Sequence, residues 1–70
     1  MTGKVVRVIA EKGFGFIRAK ENEVEYFFHH SGYNGHWIDL VNDFDKRVII
    51  VEFEEVGSNK GPRAENVTRI

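Results

Sequence analysis

The chain is divided into short runs of β-branched and aromatic residues by turn-forming residues, and this pattern limits the possible folds most strongly. The predicted strands are Lys4–Ala10, Phe14–Ala19, Val24–His29, Arg47–Val56 and a short last strand around Ala64–Val67. The strongest turn signal is the cluster Gly57–Pro62 before the last strand. Trp37–Lys46 is ambiguous and allows a short helical turn, so the pattern predicts an all-β protein.

Five short strands within 70 residues predict one domain that spans residues 1–70. A small closed or partly open barrel suits such strands, because closure removes the exposed edges that a flat sheet leaves. A chain of this length buries only about 60% of its unfolded surface, so its core must be thin. The sequence contains no cysteine, so neither a disulfide nor a thiolate metal site can stabilise that core.

Composition excludes some locations and partners. The start, Met1–Lys4, lacks the apolar run of a signal peptide, and Val48–Val51 is far shorter than the roughly 20 residues of a membrane span. We therefore expect a soluble, cytoplasmic protein without a membrane partner, and the absence of cysteine fits a reducing compartment. The net charge of −1 argues against a nucleic-acid binder that relies on charge alone.

The second and third predicted strands carry an unusual set of aromatic residues. Side chains alternate between the two faces of a strand, which predicts an inward set: Ile17, Ala19, Val24, Tyr26 and Phe28. The opposite, outer set contains three phenylalanines and a histidine, mixed with Arg18 and Glu25: Phe14, Phe16, Phe27 and His29. An exposed apolar patch of this kind implies a binding use. Stacking a nucleobase on an aromatic ring contributes roughly 1–3 kcal/mol per base, so the set predicts binding of single-stranded RNA or DNA.

Several segments are similar to those of cold-shock proteins. Lys12–Ile17 matches the first RNA-binding motif of that family, and Tyr26–Ser31 resembles the second. Lys60–Val67 resembles the closing loop and last strand, and Gly3–Val5 the opening. The resemblance implies a five-stranded antiparallel OB-type barrel, binding of single-stranded nucleic acid, and a role as an RNA chaperone or a regulator of transcription or translation. It implies no cofactor.

The resemblance also implies contact residues. The positions that match the family's principal contacts are Lys12, Phe14, Phe16, Phe27 and His29. Three further positions match less closely: His30 stands where the family usually has Phe, Lys60 matches a basic contact of the last loop, and Trp37 is the candidate for an aromatic residue of the middle loop.

The first strand departs from the family. Arg7 stands in place of the exposed stacking Trp, and Val6 in place of a basic contact. A guanidinium can still lie flat against a base and attract phosphate, so Arg7 remains a candidate. Arg63 and Lys4 are further candidates for contact with phosphates or base edges.

The remaining polar residues indicate neither catalysis nor metal binding. His29 ends the third predicted strand and His30 follows it; because adjacent strand residues point to opposite faces, we do not expect both imidazoles to reach one ion. The aspartates near His36 have no recognised ligand spacing: Asp39, Asp43 and Asp45. The glycines of Gly13–Phe16 lack the ending of a phosphate-binding loop, and Gly15 is expected to allow close packing. We predict no enzymatic activity.

Two questions stay open at this point. The alternative to nucleic-acid binding is a protein-interaction barrel whose aromatic face docks another polypeptide, favoured by the missing Trp and the slightly acidic charge. The acidic residues of the fourth strand are expected to form a solvated face: Glu52, Glu54 and Glu55. The oligomeric state is not determined by the sequence, although a monomer is favoured.

Overall fold

The computed structural model describes residues 1–57 and 59–70; Ser58, within the predicted turn Gly57–Pro62, lies outside the described residues. The described part of the chain contains five strands, β1 (Thr2–Ile9), β2 (Phe14–Ala19), β3 (Glu25–His29), β4 (Ile50–Val56) and β5 (Arg63–Arg69). One α-helix, α1 (Trp37–Phe44), precedes β4. Short 3₁₀ turns, Ala10–Lys12 and His30–Gly32, follow β1 and β3.

The strands form a closed barrel in the order β1-β2-β3-β5-β4, with β4 also paired to β1. This confirms the predicted all-β, five-stranded barrel for the described residues. The neighbouring pairs are antiparallel except at β3 and β5, which run parallel where Phe27 faces Arg63. The backbone N–H of Phe27 donates to the carbonyl of Pro62 at 3.1 Å, so the β4–β5 connection ends beside β3.

The barrel interior holds the hydrophobic core. Ile17, Ala19, Tyr26 and Phe28 are all buried, as the alternation in β2 and β3 predicts. Gly15 also behaves as predicted: a Cβ there would lie 2.5 Å from the carbonyl oxygen of Arg7 and 2.9 Å from the Phe28 ring. A side chain at this position would therefore separate β1 from β2 or displace a core ring.

Two predictions for the core and its borders need correction, and the ambiguous segment before the fourth strand is resolved. Val24 is 36% exposed rather than buried, because β3 begins one residue later and Val24 belongs to a turn in which its N–H bonds the Asn22 side chain at 3.0 Å. The segment between β3 and β4 holds a two-turn helix and supplies the buried Tyr33 and Leu40.

The fourth strand also differs from its predicted extent. It begins at Ile50 rather than at Arg47, because α1 and its C-terminal turn continue to Arg47, whose N–H bonds the Asp43 carbonyl at 3.0 Å. The helix is joined to the barrel by an ion pair of 2.9 Å between Asp43 and Arg69 of β5. This ion pair holds the pKa of the Asp43 carboxyl below its usual value.

Candidate functional site

Three phenylalanine rings lie together on the outer face of β2 and β3. The ring centroids of Phe14 and Phe27 are 5.2 Å apart, and Phe16 lies 6.1 Å from Phe14 and 6.0 Å from Phe27. Both Phe16 contacts are edge-to-face, an arrangement that fixes rings relative to one another. All three side chains are half-buried. Each ring therefore exposes part of its surface to a ligand while the rest packs against the barrel. The predicted outer aromatic face is thus present, and we call these three rings the phenylalanine cluster.

An arginine lies at each side of this cluster. The Arg7 guanidinium carbon is 5.9 Å from the Phe16 ring centroid, and that of Arg63 is 6.0 Å from the Phe27 centroid. Arg7 reaches the outer face because of a β-bulge: Val5 pairs with Ile17, whereas Arg7 pairs with Phe16. In a regular strand, Arg7 would lie on the same inner face as Val5, two residues before it; the extra residue, Val6, shifts Arg7 to the outer face.

His29 and His30 lie at the end of β3, beside the cluster. His29 is the register partner of Phe14, and its Nδ1 lies 2.8 Å from the Ser31 hydroxyl and accepts from the Ser31 N–H at 3.2 Å. The chain turns here, and the two imidazole centroids lie 4.2 Å apart. The expectation that the two rings point to opposite faces is therefore wrong, since His30 is not part of the strand.

Gly13 makes room for the His30 ring. Its φ is +72°, and a Cβ there would lie 2.5 Å from a ring carbon of His30. The His30 N–H donates to the Gly13 carbonyl at 2.8 Å, which ties the turn after β1 to the turn after β3. The position of His30 thus depends on a glycine that the sequence indicates only as a turn residue.

Trp37 is placed differently from the phenylalanines. It begins α1, packs against the core, and contacts Phe28 with the centroids 5.9 Å apart and the His30 ring with the centroids 6.1 Å apart. Its indole N–H is buried without a hydrogen-bond partner among the described residues. Trp37 therefore adjoins the candidate site through His30 while it also packs against the core.

The remaining basic candidates lie around the face. Lys12 is exposed in the turn after β1, Lys60 is exposed in the β4–β5 connection, and Lys4 is exposed opposite Arg18 of β2. Arg18 forms an exposed ion pair of 3.2 Å with Glu25 of β3. The structure thus gives Lys12 and Lys60 solvent-accessible positions.

One residue of the face was missed by the sequence reasoning. Ile9 is the register partner of Phe14 and is half-buried at the edge of the cluster. Its signal was available, because Ile9 lies two residues after Arg7 and therefore shares a face with it.

The acidic side of the barrel lies on β4. Glu52, Glu54 and Glu55 are all exposed, as predicted for a solvated face. Glu55 accepts a hydrogen bond from the hydroxyl of the buried Tyr26, and this bond raises the pKa of Tyr26. The Glu55 carboxylate therefore also satisfies a polar group of the core.

Comparison with known proteins gives a consistent result. The 'cold-shock' DNA-binding domain model matches residues 1–70. The chain belongs to the cold-shock domain family. It is 40% identical over 68 residues to the cold shock-like protein CspD of Bacillus cereus, covering 97% of this chain and 96% of that protein. It is 38% identical over 61 residues to the major cold shock protein of Micrococcus luteus, covering 87% and 85%. The cold shock-like protein CspLB of Listeria monocytogenes is 36% identical over 69 residues, covering 99% and 97%.

The cold-shock domain family binds nucleic acid and is not enzymatic. Within the described residues, no helix has the length and apolar character to cross a membrane. Over the same part of the chain, no three side chains of the metal-binding types His, Cys, Asp and Glu are grouped closely enough to hold an ion.

Proposed function

We propose that this cold-shock domain binds single-stranded RNA or DNA on the face formed by the phenylalanine cluster, and acts as an RNA chaperone or a regulator of transcription or translation. The observation that carries the proposal is the mutual contact of Phe14, Phe16 and Phe27 on a half-exposed outer face. Rings of this kind accept the flat surface of any unpaired base, and each stacked base contributes about 1–3 kcal/mol.

Charged and imidazole groups around the cluster supply the rest of the proposed interface. Arg7 and Arg63 lie against the outer rings, and His29 and His30 continue the face beyond Phe14. Lys12, Lys60 and Lys4 are the proposed phosphate contacts. Because the chain has a net charge of −1, stacking must supply a large share of the binding free energy.

A titration with oligothymidine tests the proposal. Trp37 lies against His30, so its fluorescence should respond when a strand occupies the face, and a gel shift gives a readout that does not depend on Trp37. The single strand should bind much more tightly than a duplex of the same composition, because stacked bases in a duplex cannot reach the rings. Equal affinity for both forms would contradict the proposal and indicate nonspecific charge attraction.

A further inference from the structure

Four side chains form a row across the outer face of the barrel. Arg7, Phe16, Phe27 and Arg63 are successive register partners on β1, β2, β3 and β5. Each guanidinium lies about 6 Å from the centroid of the neighbouring ring, and the two ring centroids are 6.0 Å apart. The row therefore offers two stacking surfaces between two cations.

We propose that this row selects guanine bases in the bound single strand. The inference rests on the proposed function and adds base identity to it. The Arg7 guanidinium lies over the Phe16 ring and that of Arg63 over the Phe27 ring, so a base that stacks on either ring would have a guanidinium within reach of its edge. Guanine presents O6 and N7 as neighbouring acceptors, which two N–H groups of a guanidinium meet together.

The other bases match the guanidinium less well on this edge. Adenine has nearly the same stacking surface, but an amino donor takes the place of the O6 acceptor beside N7. Thymine offers only O4 as an acceptor there. In a single strand these edges are open to side chains, since the base can be turned out of any stack.

Both arginines are available to a base. Arg63 lies 3.7 Å from the Glu65 carboxylate, and its side chain is 45% exposed, so this ion pair is weak and displaceable. Arg7 takes part in none of the ion pairs found among residues 1–57 and 59–70. Because the guanidinium is planar and rests beside a ring, it loses less freedom on binding than a lysine ammonium would.

The competing possibility is that both arginines contact only phosphates. Phosphate contacts position a strand but carry no base preference. The two possibilities therefore differ in a measurable way, namely in the dependence of affinity on the base that stacks on the row.

The test uses fluorescence anisotropy with labelled thymine oligonucleotides in which two non-adjacent central positions are thymine, adenine, guanine or 7-deazaguanine. Guanine should bind about 5- to 30-fold more tightly than adenine, which corresponds to about 1–2 kcal/mol. The 7-deaza analogue keeps the ring size but lacks the N7 acceptor, so it should lose most of this advantage. Equal affinity for guanine and adenine would overturn the inference while leaving single-strand binding intact.

Variants identify the residues responsible. Arg7→Lys and Arg63→Lys keep the charge but remove the planar fork, so each should reduce the guanine advantage and the double variant should abolish it. Arg47→Lys, at an exposed position outside the row, is the matched control and should keep the full advantage. A guanine advantage that survives the double variant would refute the assignment. Failure of the parent protein to bind any of the four strands would refute the proposed function itself, and the inference with it.

Discussion

The two faces of β3 carry aromatic residues that differ in burial. Phe28 is fully buried and contacts Trp37, whereas its neighbour Phe27 lies on the outer face, in contact with Phe14 and Phe16. Both are phenylalanines in one strand, so residue type does not distinguish them. The pleat of the strand distinguishes them, because it directs successive side chains to opposite sides of the sheet. Stability should depend on the inner ring and binding on the outer one.

The largest expected effect is on stability, at the inner ring. Phe28→Ala should lower the free energy of unfolding by about 3–5 kcal/mol, because it leaves a cavity in the core. Small domains have a free energy of unfolding near the lower end of about 5–15 kcal/mol, so the variant should lose most of its stability. Urea denaturation followed by circular dichroism measures this, and a loss below about 1 kcal/mol would contradict the assignment of Phe28 to the core.

Substitution of the outer rings should weaken binding rather than stability. Phe14→Ala, Phe16→Ala and Phe27→Ala should each weaken oligonucleotide binding by about 1–3 kcal/mol while the barrel stays folded. Binding is measured by titration and folding by circular dichroism. Val48→Ala, an exposed apolar residue outside the cluster, is the control and should bind like the parent. Unchanged binding in all three phenylalanine variants would remove the stacking mechanism.

A single substitution at Gly13 should lower both the stability of the fold and the affinity for an oligonucleotide. Gly13→Ala forces an alanine into a left-handed conformation, which costs about 1–2 kcal/mol, and its Cβ would displace the His30 ring. Stability and oligonucleotide affinity should therefore fall together. Gly57→Ala is the matched control, because a Cβ there meets nothing within 4 Å. If Gly13→Ala lowered stability alone, His30 would not contribute to the interface.

The smallest effect concerns the ion pair between Asp43, near the end of α1, and Arg69 of β5. Asp43 has a lowered pKa because Arg69 bonds its carboxylate, so this pair stabilises the fold above the unfolded-state pKa of Asp and loses its effect as the pH falls through the folded-state value. Asp43→Asn should be slightly less stable than the parent at pH 7, and the difference should shrink below about pH 4. Thermal unfolding at pH 7 and pH 3 measures it. Oligonucleotide binding at pH 7 should not change.

The local parts of the candidate site were predictable. β2 has the predicted bounds, Phe14–Ala19, and the two-residue period alone divides it into inner and outer faces. The same period in β3 separates Phe27 from Phe28. These predictions succeed because alternation is a property of the strand backbone and does not depend on distant residues.

The segment between β3 and β4 was not predictable in the same way. The helix α1 has only eight residues, too few to be stable alone, so packing of Leu40 into the barrel and the Asp43–Arg69 ion pair must hold it. Val24 was misassigned because apolar character does not tell where a strand begins, and the Asn22 turn displaces it from the sheet. Both outcomes depend on contacts between residues distant in sequence or on local turn geometry.

Local residue type and a two-residue period are enough to predict the strand pattern, the barrel class and the outward set of phenylalanines. Tertiary structure decided how the side chains of different strands meet. The bulge at Val6 brings Arg7 opposite Phe16, and the parallel approach of β5 to β3 brings Arg63 opposite Phe27. A register depends on the closure of the whole barrel, because each strand must satisfy the hydrogen bonds of both its neighbours.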